Sequence, residues 1–272
     1  MNVQILDGAI GTELGERGFS LDAPRWSAQV IEDAPDILAE VHAAYAQAGA
    51  TLHTANTFRT QPRAFGEGWL AALDAAVRIA REAAGPGNVL LGSMAPVMDC
   101  YRPDLSPGEA ARQEHRSVAT ALTRSGVDVL LCETFAHGPE ALVAVEEATA
   151  TGLPVWLSLS AGPFAELLTA AELATIGRDA ASIGVRRLLV NCVAASQIGA
   201  YVDALAALSV PIGVYANAGR EDEGLGWGGA GSKAAEAYAD LAERWIDSGA
   251  SVIGGCCGTG PRHIRALAER FG

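Results

Sequence analysis

Lysine is nearly absent. Of the 19 lysines and arginines only Lys233 is a lysine, against 32 aspartates and glutamates, and the net charge is −13. No basic stripe runs along the chain, so the electrostatic footprint of a nucleic-acid binder is missing, and an anionic membrane surface is excluded on the same ground. Long apolar runs are missing too. The segment 127–132 is broken by Asp128, far short of the roughly 20 residues of a membrane span. The first seven residues carry neither a basic region nor a long apolar stretch, so no signal peptide is expected. Several catalytic signatures are also lacking. The five histidines show no H-x-x-x-H or H-E-x-x-H spacing, and there is no G-x-S-x-G elbow and no Walker loop. His-based metal chemistry, serine hydrolysis and nucleotide hydrolysis therefore have no anchor. Cysteine is sparse and odd in number, five in 272 residues, with no C-x-x-C pair. That excludes a disulfide scaffold and fits a reducing, cytoplasmic setting with a metal or a reactive thiol.

What is present is alternation. Hydrophobic residues make up 50% of the chain, enough for a sizeable core. Short apolar, β-branched runs at 3–6, 50–55, 88–93, 127–132, 154–159, 187–191, 211–215 and 251–254 predict strands. Ala-rich stretches at 35–48, 69–84, 107–125, 138–151, 169–183, 195–208, 232–248 and 261–270 predict helices between and after them. Pro35 and Pro107 sit near helix starts, and glycines such as Gly49, Gly126 and Gly184 follow helix ends. Eight strand–helix pairs in one series predict a (β/α)8 TIM barrel, spanning 1–272 as a single domain. An open doubly wound sheet is the alternative, but the first strand is followed by Asp7-Gly8-Ala9-Ile10-Gly11, not by a dinucleotide-binding glycine loop. Two stretches break the rhythm, 13–33 and 218–231. Both follow a strand, where barrels carry their active face, so both are candidate covers for a substrate.

In a barrel the functional groups stand where strands end. Here those ends hold Asp7, Asn56, Ser93, Glu133, Ser158, Asn191 with Cys192, Asn217, and Cys256 with Cys257. Adjacent cysteines on a regular strand point to opposite faces, yet Gly254, Gly255 and Gly258 permit a sharp turn that brings both to one side. Cys192, Cys256 and Cys257 would then form a soft, three-thiolate site suited to zinc, with a fourth position open as in catalytic zinc sites. A chance vicinal pair, or a strained redox disulfide, is the competing reading from spacing alone. Cys100 and Cys132 read as small buried hydrophobes. Asp7 and Glu133, both at strand ends, could hold an ammonium group or merely satisfy loop amides.

The blocks Asp7-Gly8-Ala9-Ile10-Gly11-Thr12, Ala55-Asn56-Thr57-Phe58, Glu133-Thr134-Phe135, Asn191-Cys192 and Gly254-Gly255-Cys256-Cys257-Gly258-Thr259 resemble, in order and spacing, the homocysteine S-methyltransferase family. The resemblance covers nearly the whole chain. It implies a barrel in which Cys192, Cys256 and Cys257 hold zinc and L-homocysteine supplies the fourth ligand through sulfur. The nucleophile is then the zinc-activated homocysteine thiolate, with no protein nucleophile. By the same resemblance Asp7 and Glu133 hold the homocysteine ammonium, and backbone amides at Gly8 and Ala9 hold its carboxylate. Asn56, Asn217 and Trp26 complete the substrate-binding set; Trp26, Trp227 and Phe135 are candidate contacts for a small methyl donor, with loop packing as the alternative for each. The chain departs from the family at Leu188-Leu189-Val190, at Ala216 and in a short connection after the fifth strand. Betaine-using members carry tyrosines where this chain has Arg59 and Thr134, which weakens a quaternary-ammonium cage and favours S-methylmethionine, with S-adenosylmethionine also possible. Corrinoid-dependent relatives add domains for which 272 residues leave no room. The alternatives are a homocysteine- and zinc-binding subunit that receives methyl from a separate corrinoid protein, and a betaine-dependent enzyme. A monomer or small homo-oligomer is expected.

Overall fold

The structure, a computed structural model, describes residues 3–227 and 231–272. The strands are β1 (Gln4–Ile5), β2 (Leu52–Ala55), β3 (Val89–Met94), β4 (Val129–Phe135), β5 (Val155–Leu159), β6 (Arg187–Ala194), β7 (Ile212–Asn217) and β8 (Ala250–Gly255). All pair in parallel, in the order β1-β8-β7-β6-β5-β4-β3-β2. A parallel bridge between Leu6 and Leu52, with the Asp7 amide 3.0 Å from the Leu52 carbonyl, joins the two ends of that row and closes the barrel. The open-sheet alternative is thereby overturned.

The outer layer consists of α1 (Pro35–Gln47), α2 (Trp69–Ala84), α3 (Arg112–Ser125), α4 (Gly138–Thr149), α5 (Ala170–Ile183), α6 (Gly199–Ala206), α7 (Gly231–Asp247) and α8 (Pro261–Phe271). The strands are apolar on both faces because each face meets a different core. Leu6, Leu52, Leu91, Val129, Leu131, Trp156, Leu189, Tyr215 and Val252 fill the lumen. Leu130, Cys132, Leu157, Leu188 and Val190 face the helices instead. Cys132 therefore belongs to the packing between sheet and helices, as its reading as a buried hydrophobe requires.

Two differences from the expected elements matter for the site. Strands β4 and β6 run to Phe135 and Ala194, beyond the expected ends at Cys132 and Asn191. Each contains an irregularity, with Thr134 at φ +63° and Cys192 at φ +53°. On β6, Leu189 and Asn191 share the lumen side, so strict alternation would turn Cys192 outward. The left-handed residue breaks that alternation and re-aims the thiol into the barrel mouth. The predicted helix over 107–125 begins only at Arg112, because Gly108 at φ +55° opens a short 3-10 turn first.

Candidate metal and substrate site

Three thiols converge at the carboxyl end of the barrel. The sulfur atoms of Cys192, Cys256 and Cys257 all lie within 4.8 Å of one another, and Cys192 Sγ stands 3.6 Å from Cys257 Sγ. The turn that presents the vicinal pair is pinned on every side. Cys256 N donates to the Ala216 carbonyl, Ala218 N to the Cys257 carbonyl, and Gly258 N to Thr12 Oγ1. Thr259 closes the turn by donating both its amide and its hydroxyl to the Cys256 carbonyl, at 3.0 and 2.7 Å. Glycine is required at 255, where a Cβ would fall 2.1 Å from Thr259 Oγ1.

Donation from Cys256 and Cys257, then from Tyr101, holds the Cys192 thiol well below its ordinary range, while Cys256 and Cys257 are pushed up. Tyr101 Oη lies 2.9 Å from Cys192 Sγ, a contact that no spacing in the sequence announced. Three soft donors at one mouth, with no carboxylate or imidazole among them, suit a thiophilic ion such as Zn2+ and leave room for a fourth ligand. Cys100 lies near this group on the cavity wall, yet burial pushes its thiol up to about 12, and it is outside the ligand set.

A cavity of about 600 Å³ opens over the thiols. Asp7, Gly8, Ala9, Asn56 and Glu133 line it together with Cys192, Cys256 and Cys257, as does Trp26. Asp7 accepts the Thr54 amide at 2.8 Å, and Glu133 accepts from Ser93 Oγ and, at 2.9 Å, from Tyr215 Oη. Burial raises both carboxyls, Asp7 well above its ordinary value and Glu133 to about 7. Two buried carboxyls that repel each other, with no cationic side chain paired to Glu133 among the described residues, could receive a positive group. Asn56 is joined at both ends of its amide to Ser27, accepting from the hydroxyl at 2.8 Å and donating to the carbonyl at 2.9 Å. It thereby fastens the segment after β1, which contributes Leu21, Ala23, Pro24, Trp26 and Ser27 to the wall.

Other expected residues lie elsewhere. Asn217 is off the wall; its side-chain NH2 donates to the Cys192 and Pro163 carbonyls, both at 3.1 Å, and its oxygen accepts the Gly219 amide. It positions the Cys192 strand end rather than facing the cavity. Phe135 is wholly buried against His115 and is no donor contact. The Trp227 indole donates to the Gly219 carbonyl at 2.7 Å and packs over Gly258. The rest of the expected cover at 218–231 includes 228–230, which lie outside the described residues.

The sequence profile of the homocysteine S-methyltransferase family matches residues 4–271. A homocysteine S-methyltransferase of Escherichia coli (strain K12) is 31% identical, with 99% of this chain and 95% of the relative covered. Homocysteine S-methyltransferase YbgG of Bacillus subtilis (strain 168) is 30% identical over 97% and 93% of the two chains. The crystal structure of the E. coli homocysteine methyltransferase MmuM in its metallated form superposes with a TM-score of 0.83 at 29% identity, covering 99% and 96%. With the barrel, the three-thiol mouth and the carboxyl pair on the page, these matches establish that the chain belongs to the homocysteine S-methyltransferase family.

Proposed function

We propose that this protein transfers a methyl group from a small sulfonium donor, S-methylmethionine first among them, to the sulfur of L-homocysteine, giving methionine, within one domain and with Zn2+ on Cys192, Cys256 and Cys257. The convergence of those three thiols on the cavity carries this reading. The donor set fits the ion, and the metallated form of the E. coli relative supports it. Bound there, Zn2+ would keep a fourth, incoming sulfur as thiolate at neutral pH, where a free thiol is mostly protonated.

The chain's own residues bind and orient. Asp7 and Glu133 receive the homocysteine ammonium, and Ser93 and Tyr215 fix which way the Glu133 carboxylate faces. The amides of the segment from Gly8, which opens the short helix Ile10–Glu16, are placed for the carboxylate on the same carbon. Trp26, held edge-on to Phe58 with ring centroids 6.0 Å apart, forms part of the wall beside the bound substrates. The homocysteine sulfur then attacks the methyl carbon, and the C–S bond electrons return to the sulfonium sulfur.

The test is methionine production from homocysteine with a panel of donors, together with metal analysis. Replacing Cys192, Cys256 or Cys257 with alanine should abolish both stoichiometric zinc and turnover, while Cys132→Ala retains both. Full activity in Cys257→Ala, or after exhaustive chelation, would overturn the zinc–thiolate reading. Comparable kcat/KM with betaine would overturn the donor.

A further inference from the structure

Arg59 is a cation without a counter-ion. It lines the cavity half-buried and forms no ion pair among the described residues, whereas Arg63, also on the wall, pairs with Glu114. Its guanidinium is nonetheless held in place. Nη1 donates to the Met98 carbonyl at 3.0 Å, and the group lies 5.0 Å from the Phe58 ring centroid, on the aromatic ring that supports Trp26. The loop it grips is itself braced, since Gln61 Nε2 donates to the Pro96 carbonyl and the Val97 amide donates to Glu140. An oriented guanidinium facing a cavity, with most of its donors free, is an anion site.

The charge layout says which anion. The floor of the cavity holds its acidic groups, Asp7, Glu133 and three thiols. A zwitterionic sulfonium entering such a cavity is drawn in by its cation, and its carboxylate is repelled outward. In the proposed pose the homocysteine carboxylate is held elsewhere. It shares a carbon with the ammonium between Asp7 and Glu133, and so stays beside Gly8 and Ala9. Asp99 follows Met98 on the same wall, and its Oδ1 already accepts the Tyr101 amide at 2.9 Å. An α-amino-acid tail, with its own ammonium beside the carboxylate, can meet both charges.

We propose that Arg59 binds the carboxylate of the methyl donor, so that the protein selects sulfonium amino acids over sulfonium compounds that lack a carboxylate. This rests on the proposed donor class and refines it. The test compares S-methyl-L-methionine with its decarboxylated analogue, (3-aminopropyl)dimethylsulfonium, in the parent protein, Arg59→Met and Arg59→Lys. Both equilibrium binding to the zinc-loaded protein and methionine production are measured. The parent should prefer the carboxylated donor by about 10- to 100-fold, the range of a charge-assisted contact. Arg59→Met should erase that preference by weakening S-methylmethionine alone, Arg59→Lys should keep part of it, and the KM for homocysteine should be unchanged. Equal binding of the two compounds by the parent, an equal loss for both in Arg59→Met, or a loss carried by the homocysteine KM would each overturn the assignment. Preferential binding without turnover would leave Arg59 in place and overturn the donor reading instead.

Discussion

At the scale of single residues, Glu133 sets stability against binding. Burial lifts it to about 7 from an ordinary 4.5, so the folded state favours its protonated form. The stability this lends is fully present below pH 4.5 and is lost as pH rises through about 7, a difference of roughly 3 kcal/mol. Glu133→Gln should therefore be more stable than the parent at pH 8 and equal to it near pH 4, as denaturant titrations at the two pH values would show. The same change should raise the KM for homocysteine, because an ammonium group needs the ionised carboxylate. For the parent, kcat/KM for homocysteine should climb with pH across about 6–8, and a flat profile would separate Glu133 from ammonium binding. Tyr101 makes a second residue-scale prediction. Tyr101→Phe removes the donor to Cys192 Sγ at 2.9 Å without emptying its place. Charge transfer from sulfur in a Co2+-substituted protein should shift in this variant, and chelator competition should show a metal affinity altered up to about tenfold. An unshifted spectrum would make Tyr101 a packing residue.

At the scale of elements, the expected strands and helices emerge because apolar runs and helix-ending glycines are local signals, and the three clustered cysteines, Asp7, Asn56 and Glu133 all stand at strand ends, where a barrel puts chemistry. What was not legible depends on where the backbone leaves its ideal course. The turns at Thr134 and Cys192 are left-handed in non-glycine residues, which no composition signals. Tyr101 reaches its sulfur from a loop 91 positions away, and Tyr215 reaches Glu133 across the lumen from 82 positions away. Asn217 reads as a substrate residue by position, whereas its hydrogen bonds make it a clamp on the end of β6. Asn217→Ala should free the Cys192 carbonyl and lower metal affinity by about 10- to 100-fold, measured by chelator competition, with the fold intact. Gly255→Ala should do more, since the added methyl collides with Thr259 and spreads the Cys256–Cys257 turn.

At the scale of the whole molecule, an ion on the three thiols would link β6 to β8, strands not adjacent in the sheet, with β7 between them. No helix among the described residues is long and apolar enough to cross a membrane, and the barrel's two cores account for its burial. An ion that binds only the folded state at 1,000 times its Kd adds about 4 kcal/mol. Removing zinc under reducing conditions should lower Tm by about 10 °C, reversibly; an unchanged Tm on verified metal loss would show that the ion does not bridge the strands. The separation of the ligands has one more consequence. Cys192 and Cys257 are 65 residues apart, and the second lies just past the last strand in the chain. A growing chain thus owns one ligand long before it owns three, and no tight site exists until the barrel has shut. An ion held by all three thiols would therefore load last, through the mouth proposed for the substrates. A resident homocysteine would sit in that doorway, so metal exchange should be slowest in working enzyme and fastest in idle protein.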